Sequence, residues 1–175
     1  MHTAITHRFP SQINELIKAL LTLYSGRDCI GNAKTGSGKT IAFALPILQK
    51  LSVDPYGIYA LVLTPTRCAS LFCSFILDRV SMFVKYRELA IQIAEQFAVL
   101  GTGFNIHTAV VIGGMDMMTQ ALELERRPHV VIATPGRIVD HLKTTSGGWS
   151  FSRVKFLVCC ASLLELLTKL NGEIC

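Results

Sequence analysis

The stretch Ala33-Lys34-Thr35-Gly36-Ser37-Gly38-Lys39-Thr40 has the residue types and spacing that bind phosphate. A loop that cradles phosphate must turn its backbone N–H groups inward and bring them close to the oxygens, an approach that a Cβ obstructs. Gly36 and Gly38 meet that need. Lys39 is placed to reach the β- and γ-phosphates, and the Thr40 hydroxyl to join a Mg²⁺ shell. A helix starting here would aim the positive end of its dipole at the anion. The first glycine of the usual pattern is replaced by Ala33. The plain alternative is a Gly-rich turn with no ligand; a position between a strand and a helix argues against it.

Three further clusters carry potential chemistry: Pro65-Thr66-Arg67, Gly113-Gly114 and Thr134-Pro135-Gly136-Arg137. Singly, each reads as a turn, with a solvated arginine or a flexible corner. The elements around them change that reading. Apolar spacing predicts helices over 13–24, 40–51, 88–100 and 117–124, with a further helix from 137. Compact apolar runs predict strands over 28–31, 59–64, 107–112, 129–134 and 154–159. This alternation implies an α/β fold of three layers, a mostly parallel sheet with helices on both faces. Such sheets bind ligands at the carboxyl ends of their strands, which is where Ala33, Pro65, Gly113 and Pro135 fall.

Composition agrees with a buried sheet. Half of the 175 residues are hydrophobic and 17% are charged, which excludes intrinsic disorder and suits one domain with its own core. The net charge of +5 is compatible with a polyanionic partner, but the basic residues are spread along the chain, so charge alone argues weakly. The first residues lack the basic and apolar regions of a secretory signal. The six cysteines are therefore expected in a reducing compartment, with no disulfide-linked partner. The apolar stretches 68–77 and 156–164 are too short for a membrane span, and no membrane partner is expected.

Taken together and in order, the phosphate loop, Pro65-Thr66-Arg67, Gly113-Gly114 and Thr134-Pro135-Gly136-Arg137 resemble the motifs of DEAD-box RNA helicases. Residues 34–67 and 88–158 read like that family almost throughout, and residues 113–117 and 127–134 look closest to a nucleolar member linked to ribosomal RNA processing. The resemblance implies a RecA-like P-loop NTPase domain that uses ATP and Mg²⁺. It also implies a groove that holds RNA by its sugar-phosphate backbone, through Pro65, Thr66, Arg67, Gly113, Gly114, Thr134, Pro135, Gly136 and Arg137. Pre-ribosomal particles, in the nucleus and nucleolus, are the setting it suggests.

Three departures bear on function. Phe9-Pro10-Ser11-Gln12 resembles the family's adenine-recognition segment, with Gln12 as the base contact, but the spacing to Gly26 is longer than usual. A glutamine that simply opens a helix is the competing reading. Residues 68–87 read as an apolar insertion between Arg67 and Glu88, where the family runs straight on. After the last strand, the family's metal-holding Asp-Glu-Ala-Asp is replaced by Cys159-Cys160-Ala161-Ser162, so no catalytic set is intact. The expectation is a single helicase ATP-binding domain over 1–175, incomplete at its C-terminus. The same expectation takes 159–175 as a divergent tail and finds no second helicase domain in these residues.

The leading expectation is thus a domain that binds nucleotide, with RNA held weakly and without efficient hydrolysis or unwinding. The alternative is a non-catalytic interaction or dominant-negative fragment. A small P-loop kinase fits less well, because it leaves the three strand-end clusters without a shared role.

Overall fold

Four short apolar runs of the chain form strands. In the computed structural model, which describes residues 12–31, 36–65, 79–144 and 148–160 (12–16 and 79–86 as backbone), they form one sheet. They are β1 (Ala60–Leu63), β2 (Thr108–Val111), β3 (Val130–Ala133) and β4 (Phe156–Cys159). All pairs are parallel, in the order β2-β3-β1-β4. The register aligns Leu63 with Ala133 and Cys159, and Ala133 with Val111, so all four strands end on one row. The ladder runs one residue further through Thr64 N–H to Ala133 O, Thr134 N–H to Val111 O and Cys160 N–H to Leu63 O.

The central strands β1 and β3 are buried at every residue. Alternating side chains feed two cores. On one face Ala60, Val62, Val130 and Ile132 pack with Ala44, Ile47, Leu48 and Leu51 of α2 (Lys39–Leu51) and with Ala90, Ile93 and Phe97 of α3 (Arg79–Leu100). On the other, Leu61, Leu63, Val131 and Ala133 meet Leu124 of α4 (Met117–Glu125), Ile138 of α5 (Pro135–Thr144) and Trp149. Each fully buried large side chain, such as Phe97 or Ile47, stabilises the fold by about 1.5–3 kcal/mol. The three-layer α/β architecture is therefore as the sequence implies. The N-terminal helix α1 (Gln12–Tyr24) packs on α2.

Residues 28–31 differ from expectation: they are not a strand, and the described sheet has four strands rather than five. Ile30 is 62% exposed, so this short run has no apolar face that would hold it against the sheet. Helix α3 begins at Arg79, so its first turns are built from the end of the segment read as an insertion. Helix α5 starts two residues before the expected point, because Pro135, with its fixed φ and no N–H, suits the first position of a helix. No described helix is long and apolar enough to cross a membrane.

Candidate phosphate and RNA-backbone site

The phosphate loop enters α2 through two left-handed glycines. Gly36 has φ 79° and Gly38, the residue capping α2, has φ 87°, a region where L side chains are strained. The glycines thus permit the turn that aims the α2 N-terminus outward. No side chain caps that helix end, and no acid sits in its first turn. The Ser37 hydroxyl oxygen is buried without a hydrogen-bond partner. A helix N-terminus leaves its first N–H groups unbonded and carries positive partial charge, so this arrangement suits an anion. Phosphate therefore fits the residues present. Lys39 and Thr40 follow at once, as the first two residues of α2. Ala33, Lys34 and Thr35 lie outside the described residues.

The other clusters gather on the same side of the sheet, because the strands end in register. Pro65 follows β1 and is buried; Thr66 and Arg67 lie outside the described residues. Gly113 and Gly114 follow β2, with Gly114 at φ 79°. Asp116 then caps α4, its carboxylate accepting from Thr119 N–H at 2.8 Å and from the Thr119 hydroxyl at 2.7 Å. Those bonds hold the Asp116 carboxyl below its usual range. Thr134 follows β3, and its carbonyl accepts from Ile138 N–H at 3.1 Å, which starts α5. Gly136 is exposed in the first turn of that helix.

Arg137 occupies a place the sequence did not suggest. Its Nε donates to Gln120 Oε1 at 3.0 Å, its Nη1 faces Met117 Sδ at 3.7 Å, and its Nη2 donates to the Met115 carbonyl. The guanidinium is therefore engaged with protein acceptors on the Gly113–Gly114 side, rather than facing outward as a solvated arginine. Gln120 itself, 1% exposed, was missed in the sequence. Its signal is a polar residue at an inward helical position, three after Met117 and four before Leu124.

At the end of β4, where the family resemblance expects carboxylates, stand Cys159 and Cys160. Burial raises both thiols, Cys160 to about 11, with Lys39 opposing the shift. Both are neutral thiols near pH 7 and supply no negative charge to a metal. Among the described residues no three His, Cys, Asp or Glu side chains converge. Gln12 opens α1, but its side chain lies outside the described ones.

A parallel sheet layered between helices, with a glycine-led helix N-terminus at its carboxyl edge, defines a P-loop, RecA-like nucleotide-binding domain. The DEAD/DEAH box helicase family matches residues 14–70 and 77–159, and the chain belongs to that family. It is 56% identical over 136 residues to the human "Probable ATP-dependent RNA helicase DDX49", a match covering 78% of this chain and 24% of the relative. It is 51% identical over 160 residues to "ATP-dependent RNA helicase DBP8" of Meyerozyma guilliermondii, covering 89% of this chain and 31% of the relative. Among solved structures, a hypothetical ATP-dependent RNA helicase from Sulfolobus tokodaii superposes with a TM-score of 0.66 at 28% identity, covering 95% of this chain and 41% of that one. The yeast DEAD-box splicing factor Prp28 shares the fold, with a TM-score of 0.63 at 22% identity over 96% of this chain and 43% of that one. The matches span 24% and 31% of the length of these curated relatives.

Proposed function

We propose that this chain binds the phosphates of ATP through residues 33–40 and holds single-stranded RNA by its backbone along the strand ends, without efficient hydrolysis or unwinding on its own. The observation that carries this reading is the uncapped N-terminus of α2 beside the unpartnered Ser37 hydroxyl. Lys39 neutralises phosphate charge, Gly36 and Gly38 allow close backbone approach, and the Ser37 hydroxyl gains its missing partner. Mg²⁺, when bound with nucleotide, supplies Lewis-acid neutralisation, and Thr40 is the residue placed to meet it. Gln12 is the candidate for adenine.

RNA is held at Pro65, Thr66, Arg67, Gly113, Gly114, Thr134, Pro135 and Gly136, with Arg137 beside them. Backbone amides and hydroxyls suit phosphate and 2′-hydroxyl groups and ignore base identity. The expectation of little hydrolysis rests on Cys159 and Cys160, since neither thiol can hold a metal-bound water as a carboxylate does. The resemblance of residues 113–117 and 127–134 to a nucleolar member supports a nucleolar setting and pre-ribosomal particles as targets.

The test is binding of a fluorescent ATP analogue with Mg²⁺ to the unaltered chain and to Lys39→Ala, with hydrolysis followed in the same samples. The expected result is binding weakened about tenfold or more by the substitution, with no turnover above the Lys39→Ala level. Binding indifferent to Lys39, or turnover above that control, would sink the proposal.

A further inference from the structure

Three polar residues are buried as whole residues among those described, Thr64, Gln120 and His141, each at most 1% exposed. Two of them touch each other. A buried amide is costly unless its hydrogen bonds are made, and all of Gln120's partners lie outside its own helix. Its Nε2 donates to the Ile112 carbonyl at 2.9 Å, immediately before Gly113. Its Oε1 accepts from Arg137 Nε at 3.0 Å and lies 3.1 Å from His141 Nε2. Because Oε1 has no proton to give, His141 is the donor there, which fixes its Nε2 tautomer. Arg137 makes a second tie between the same two regions, through Nη2 to the Met115 carbonyl just after Gly114. The Gly113–Gly114 loop and the first turn of α5 are thus clamped to each other by one amide and one guanidinium.

We infer that Gln120 is a positioning residue for the RNA-backbone face, and that Arg137 acts through Gln120 and Met115 rather than by pairing with a phosphate. This rests on the reading that the strand ends hold RNA. Two glycine-containing turns offer backbone groups at useful spacing only if their relative position is fixed. A left-handed Gly114 and an exposed Gly136 have no bulky side chains with which to fix it. The planar fork of Arg137 reaches Gln120 and Met115 together, a geometry that lysine does not reproduce.

The experiment is fluorescence anisotropy of a labelled oligouridylate with the full 175-residue chain, across a range of salt concentrations. The variants are Gln120→Met, Gln120→Glu, Arg137→Lys and Arg137→Met, with thermal melts confirming that each folds. Gln120→Met and Arg137→Lys are each expected to weaken binding about tenfold, the effect of losing a charge-assisted hydrogen bond, and their combination to be little worse than either. Gln120→Glu, which keeps the acceptor for Arg137 and His141 but loses the donor to the Ile112 carbonyl, is expected to weaken binding as Gln120→Met does. The slope of log affinity against log salt stays unchanged in Arg137→Met, since no phosphate contact is lost. Should Arg137→Met reduce that slope by about one, or Gln120→Met bind like the unaltered chain, the inference is overturned while the RNA reading stands. Failure of the unaltered chain to bind RNA overturns both.

Discussion

Lys39, the first residue of α2, stands close enough to Cys160 at the end of β4 for its ammonium to oppose the burial that pushes the thiol up to about 11. The sheet register explains the meeting, because Cys160 N–H bonds Leu63 O at 2.8 Å and so extends β4 toward the phosphate loop. A neutral thiol within electrostatic reach of the phosphate-loop lysine thus occupies the strand end where the resemblance expects a carboxylate.

Cys160→Asp is therefore expected to make nucleotide binding more dependent on Mg²⁺. An aspartate at this position would be ionised beside Lys39 and would add a hard oxygen ligand suited to that ion. Fluorescent-nucleotide titrations with and without Mg²⁺ should show a several-fold larger metal effect in the variant, at a cost of about 1–3 kcal/mol in stability for burying a polar group. An identical metal effect in both proteins would mean that Cys160 does not face the metal position.

Much of this arrangement was legible in the sequence. Apolar runs located all four strands to within two residues, and Pro or Gly marked the ends of three of them, β1, β2 and β3, since central parallel strands need continuous burial and turn residues punctuate them. The run over 28–31 was misread because propensity and position suggested a strand, whereas pairing depends on a neighbour and an apolar face that Ile30 does not supply. The turn into α2 was legible because its two glycines supply the left-handed backbone it requires. The role of Arg137 was not, because the sequence gives a charge and a turn but not the acceptors around it. Those acceptors, Gln120 and the Met115 carbonyl, come from a different helix and a different loop.

Acid should weaken the fold through His141. Burial chiefly, and the charge of Arg137 secondarily, lower its pKa, while Asp140 opposes them. The sign follows from linkage. A depressed folded pKa means that the unfolded chain takes up the proton first, so stability is complete above about pH 6.5 and falls as pH drops from there through the folded pKa. His129, lowered by burial and by neighbouring His107, contributes in the same direction. Urea unfolding between pH 8 and 5 should show a declining midpoint in the unaltered chain. The decline should be shallower in His141→Gln, whose amide can still donate to Gln120. Equal slopes would exclude His141 as a source.

Two glycines separate a requirement of the fold from a requirement of the ligand. A Cβ at Gly101 would lie 2.8 Å from the Phe97 carbonyl oxygen and 3.5 Å from Ile106, so Gly101→Ala must shift backbone at the end of α3. It should cost about 1–3 kcal/mol in unfolding measurements and leave RNA affinity of the folded fraction unchanged. Gly136 has nothing within 4 Å of the same added atom and no left-handed φ. In the first turn of α5, Gly136→Ala should be neutral or stabilise by up to about 1 kcal/mol. If RNA phosphate approaches that turn as closely as proposed, the added methyl obstructs it, and oligouridylate affinity falls in a protein at least as stable as the original. Unchanged affinity in the stable Gly136→Ala protein would place the RNA backbone elsewhere on the sheet edge.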